Sequence, residues 1–88
     1  MCTYATLSAK VDGSAKGPGG RWFHVSDATV YFDHPVYALA EHTLNIDLTA
    51  AAGDPSTRVA LELTAASARE LMEAIGAALD SAPPELTR

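Results

Sequence analysis

The sequence predicts an α+β fold: a four-stranded antiparallel β-meander followed by one C-terminal amphipathic helix packed on one sheet face. Three observations predict it. Four segments alternate apolar and polar residues with the period of two that a half-buried strand requires. Clusters rich in glycine, proline and aspartate separate them. After the fourth segment the period lengthens to three and four, the spacing of a helix with a single apolar stripe.

The first strand is expected over residues 2–11, with Ala5, Leu7, Ala9 and Val11 on one face and Tyr4, Thr6, Ser8 and Lys10 on the other. Residues 12–20 hold four glycines and a proline and predict a flexible loop. No Gly-Lys-Ser/Thr ending follows, so it is not a phosphate cradle. The second strand, residues 22–34, is aromatic and β-branched, with a kink expected near Ser26 and Asp27. Pro35 stops it, because proline cannot extend a ladder. The third strand runs over 42–48 and places His42, Leu44, Ile46 and Leu48 on one face. Residues 50–56 turn the chain, and Val59, Leu61 and Leu63 of the fourth strand point inward. In the helix, Ser67 and Glu70 have capping-box spacing, with Thr64 as an alternative N-cap one turn earlier. Ala68, Leu71, Met72, Ile75, Leu79 and Ala82 form its stripe, Met72 as core packing. Pro83 and Pro84 end it, and residues 85–88 are expected to be a loose tail.

A chain of 88 residues suits one domain, spanning residues 1–88. Apolar residues make up 48% of it, but much of that is alanine, which buries little area. One helix over a sheet gives a thin core, so a homodimer is expected. The net charge is −5, and residues 41–88 hold eight acids against three bases. No basic cluster is present to neutralise phosphates, so neither nucleic acid nor an anionic membrane is an expected partner. The N-terminus has no basic and apolar leader, and no stretch is long enough to span a bilayer, so a cytoplasmic location is expected. The lone cysteine, Cys2, excludes an internal disulfide and a four-cysteine zinc module. Removal of Met1 would make Cys2 an N-terminal amino-thiol; the plainer reading is a strand-start cysteine.

Register is the informative step towards function. Residues opposed across an antiparallel pair share a face, so the even-numbered apolar residues of strands two and three must meet. One allowed register opposes Ala28 with Leu48, Val30 with Ile46 and Phe32 with Leu44, and carries His34 to His42; a shift of two residues would instead oppose Phe32 with His42, and either way the two rings share one end of the apolar face. Both imidazoles would then sit at the rim of an apolar cleft. Imidazole titrates near neutral pH and can give and take a proton, so His34 and His42 are the candidate catalytic pair, with Glu41 and Asp33 as orienting neighbours. The plainer reading is two half-exposed strand-end histidines without a role. Tyr31, Asn45 and Phe32 are the candidate binding residues for a small organic molecule. If a metal binds, His34 and His42 would hold it, with His24, Glu41 or Cys2 as a third ligand; no recognised metal spacing is present, and no metal or other cofactor is expected.

The start Met1-Cys2-Thr3-Tyr4-Ala5-Thr6 and the stretches Asp27-Ala28-Thr29-Val30-Tyr31-Phe32-Asp33-His34-Pro35 and Glu41-His42-Thr43-Leu44-Asn45-Ile46-Asp47 resemble a family of short actinobacterial proteins known as a domain of unknown function. The resemblance runs through nearly the whole chain. It departs at Leu39, where similar proteins favour proline, which bears only on loop geometry. It implies a stand-alone bacterial protein and carries over no activity, substrate, cofactor or catalytic residue.

The residues thus lead to a homodimeric small-molecule-binding protein, with cofactor-free acid-base catalysis of an isomerase, cyclase or lyase type at His34 and His42. A non-catalytic dimeric interaction or ligand-binding module is the alternative, and a metal-binding protein the third reading.

Overall fold

The computed structural model describes residues 5–51 and 57–88. Its elements are β1 (Thr6–Lys16), β2 (Trp22–Asp33), β3 (Thr43–Thr49), β4 (Arg58–Leu63) and one helix, α1 (Ala65–Ser81), with 3-10 turns at Pro18–Gly20 and Pro84–Leu86. The strands form one antiparallel sheet in the order β1-β2-β3-β4. The meander and the single C-terminal helix follow from the alternation and its change of period.

The register between β2 and β3 is Ala28 to Leu48, Val30 to Ile46 and Phe32 to Leu44. β4 adds Leu63, Leu61 and Val59 opposite Leu44, Ile46 and Leu48. On the other flank Leu7 faces Val30 and Ala9 faces Ala28. One face is therefore apolar across all four strands, and the opposite face carries Thr29, Tyr31, Asn45, Asp47, Arg58 and Glu62.

The first hairpin departs from expectation. β1 does not stop at Val11 but continues through Lys16, so most of the expected loop is strand. Gly13 to Lys16 pair with Val25 to Trp22, after a bulge in which the ladder jumps from Lys10 to Gly13. The irregularity expected near Ser26 is this bulge, located on the partner strand. The reversal is confined to Gly17–Arg21, where Gly19 and Gly20 adopt φ of 75° and 74°, a region open to glycine at little steric cost. Glycine composition signalled a turn correctly but overstated its length. The hairpin consequently overshoots β3, which pairs only with Asp27 to Asp33, and leaves a two-stranded arm.

Thr64 is the helix N-cap. Its Oγ1 accepts from the Ser67 amide at 3.1 Å, so the helix starts one turn before the Ser67 capping box. Ala82 closes the helix, and Pro83, which cannot continue the ladder, follows. The expected loose tail is in part a 3-10 turn, held by the Leu86 amide on the Pro83 carbonyl at 2.9 Å and the Thr87 amide on that of Pro84 at 3.2 Å. α1 packs against β3 and β4. It does so loosely: Met72, Ile75 and Leu79 remain 65%, 54% and 55% exposed. Among the described residues only Val25 and Ala28 are buried apolar side chains, so the core is even thinner than the composition implies.

Candidate functional site

Loose helix packing leaves an apolar groove of about 630 Å³ between α1 and the sheet. Val30 and Phe32 of β2, Leu44 and Ile46 of β3 and Leu63 of β4 form its floor; Ala68, Leu71, Met72 and Ile75 form its wall. Met72, expected to be core packing, is therefore a half-exposed wall residue. Arg69 is the charged residue of the lining. Strand alternation supplies the floor, and i, i+3, i+4 spacing supplies the wall.

A more polar hollow of about 510 Å³ lies against the other face, bounded by Tyr31, Asn45, Asp47, Arg58 and Glu62, with Val36, Tyr37 and Ala38 from the β2–β3 loop and His34 at its end. The Glu62 carboxylate holds that loop: Oε2 accepts from the Val36 amide at 2.5 Å, and Oε1 from the amides of Tyr37 at 3.1 Å and Ala38 at 2.9 Å. The main-chain donors of Ala38 first, then Val36 and Tyr37, hold the Glu62 carboxyl below its ordinary value, against a smaller opposing effect of desolvation. The clamp presents Val36 and Tyr37, 98% and 91% exposed, to solvent. Deeper in the face, the Tyr31 hydroxyl donates to Asp47 Oδ2 at 3.2 Å and Arg58 Nη2 donates to Asp47 Oδ1 at 2.8 Å. Burial, followed by the Asp47 charge, raises the Tyr31 phenol above its ordinary value.

His34 and His42 come together just beyond the last β2–β3 pair, Asp33 with Thr43. Their rings stack with centroids 4.5 Å apart and an interplanar angle of 29°, and His42 stacks in turn on Phe32 at 5.8 Å. Neither ring lines the apolar groove, contrary to the expectation that both would rim it. Phe32 links His42 to that groove, whereas His34 lines the hollow on the opposite face. Past the final rung no ladder fixes which way a side chain points, so alternation could bring the rings together without assigning both to one face. His34 Nδ1 lies 2.9 Å from the Glu41 carbonyl oxygen. A carbonyl only accepts, so Nδ1 carries the proton and the neutral ring's lone pair is on Nε2. Glu41 thus orients the ring through its main chain; Asp33 Oδ1 accepts from the His34 amide at 2.7 Å.

The three expected binding residues divide between the faces: Tyr31 and Asn45 border the polar hollow, and Phe32 the apolar groove. Among the described residues no group of three His, Cys, Asp or Glu side chains is arranged to hold a metal ion. His24 cannot complete a site with His34 and His42, because it lies ten residues back along β2 on the arm, about 33 Å away at extended rise. Cys2 and Tyr4 lie outside the described residues. Sequence reasoning missed Glu62, Arg58 and Arg69. Alternation placed Glu62 on the polar face, but its partners are main-chain amides 24 to 26 positions away, which leave no mark in residue identity.

A family model described as a family of unknown function, DUF6295, matches residues 1–88. The chain belongs to that family. No curated protein and no solved structure matches this DUF6295 chain. No helix among its described residues is long and apolar enough to cross a membrane.

Proposed function

We propose that this chain is a homodimeric binding protein for a small, largely apolar organic molecule, seated in the groove between α1 and the sheet. The groove itself carries the reading: it has the volume of a small-molecule site, a mostly aliphatic and aromatic lining and one charged lining residue, Arg69. Arg69 suits a ligand with a carboxylate or other acceptor at one end. The acidic, single-cysteine composition fits a cytoplasmic protein, and the quoted stretches fit an actinobacterial source. No cofactor, nucleic acid or membrane enters this reading. Calorimetric titration with decanoate as the probe tests it. Saturable binding is expected, and Ala68→Trp, which fills the groove, should abolish it with an unchanged far-UV circular dichroism spectrum. No saturable binding, or equal binding by that folded variant, would end the proposal.

Proton transfer is a second reading, favoured by the stacked rings of Phe32, His42 and His34, which run from the groove to the sheet end. A bound ketone should then exchange its α-hydrogens with D2O faster than free ketone, and His34→Ala with His42→Ala should remove the acceleration without weakening binding. Exchange that persists in the double variant excludes the pair as catalysts.

A further inference from the structure

We infer that the uncovered half of the apolar sheet face, together with the exposed flank of α1, is the surface on which a second copy of this chain docks. The inference rests on the homodimer part of the preceding proposal and names the surface that proposal leaves open.

A helix is about 10 Å across, while four strands spaced about 4.8 Å apart span about 19 Å, so one helix covers half of such a sheet. α1 lies over β3 and β4. β1 lies beyond the helix, and its Leu7, which continues the row of Val30 and Ile46, is 66% exposed. A compact monomer of 9.2 kDa exposes about 4,900 Å², whereas this chain exposes 6619 Å². The difference of about 1,700 Å² falls within what one protomer contributes to an obligate dimer. Shape agrees, because the radius of gyration is 14.4 Å against about 12 Å for a compact chain of this length.

An isolated two-stranded hairpin is marginal in water, yet Gly13 to Lys16 pair with Trp22 to Val25 beyond the edge of β3. Trp22, at the end of the arm, is 65% exposed beneath the Lys16 ammonium. Charge adds direction. The arm brings Lys16 and Arg21, while α1 brings Glu70, Glu73 and Asp80 against Arg69. An arrangement that sets one copy's arm beside the other's helix pairs opposite charges around an apolar centre. The second copy would also wall the open side of the groove.

Light scattering on the full chain at micromolar concentration should give about twice the monomer mass. Leu7→Glu and Met72→Glu replace side chains exposed in the single chain, so each should keep the wild-type circular dichroism spectrum and halve the mass. As a measurement that needs no variant, dilution of the wild type through dissociation should shift the NMR methyl signals of Leu7, Met72 and Ile75 and leave that of Val36 in place. A wild-type monomer at every concentration, including one carrying a co-purified lipid-like molecule, would overturn both the homodimer and this surface. A dimer that survives both substitutions, or whose dissociation moves Val36 rather than Leu7, would overturn the surface and leave the homodimer standing.

Discussion

Replacing Thr43 by valine tests how the β2–β3 loop end of the sheet is held. Thr43 is fully buried at 0% exposure, and its hydroxyl donates to Asn45 Oδ1 at 2.7 Å, with Asn45 itself only 5% exposed. Valine keeps the shape and removes the donor, so the loss should be that of a buried acceptor deprived of its partner, about 1–3 kcal/mol. At about 4–8 °C per kcal/mol for a domain of this size, a cost of about 2 kcal/mol lowers Tm by about 8–16 °C. Serine is the complementary control: it keeps the donor and removes one methyl, about 1 kcal/mol with its small cavity. Urea unfolding followed by far-UV circular dichroism, at one protein concentration for all variants, should rank wild type above Thr43→Ser and Thr43→Val below both. If valine costs no more than serine, packing holds this position, and the hydrogen bond does not decide it.

Four further outcomes follow from the geometry. Because the folded Glu62 carboxyl lies below its ordinary value of 4.5, its clamp contributes fully above the unfolded carboxyl's pKa and is lost as pH falls through the lower folded value. The amide NMR signals of Val36, Tyr37 and Ala38 should therefore move together on acidification, and Glu62→Gln should start with them displaced and insensitive to pH in that range. Gly19→Ala, at φ of 75°, should lower the urea midpoint by an amount equivalent to about 1 kcal/mol. Gly76→Ala should raise it by about 0.5–1 kcal/mol, since an added Cβ there meets no atom within 4 Å and alanine favours the helix. Ultraviolet titration should show a phenol ionising above the ordinary tyrosine range that disappears in Tyr31→Phe; an unchanged curve would contradict the buried contact with Asp47.

The parts of this fold legible in the sequence are those fixed by periodicity. Val30, Phe32, Leu44 and Ile46 alternate strictly, so spacing limited β2–β3 to registers that keep the even-numbered residues together; the structure adopts the one that brings His34 to His42 rather than the one shifted by two residues. The change to a helical period after Leu63 marked α1 equally plainly. Three features were not legible. Gly13 to Lys16 have loop composition yet pair as strand, because the facing residues from Trp22 to Val25 offer a ladder that local propensity does not report. The direction of His34 depended on a rung beyond the last hydrogen-bonded pair. The apolar stripe of α1 was visible, but not that it would cover only β3 and β4 and leave a groove.

Because Glu62 grips main-chain amides, the β2–β3 loop owes its shape to atoms that every residue except proline supplies at positions 36, 37 and 38. The side chains of Val36 and Tyr37, which stand in solvent, are thereby released from holding the loop's path. Evolution can rewrite what the loop displays while its path stays the same, much as recognition loops diversify on a constant framework.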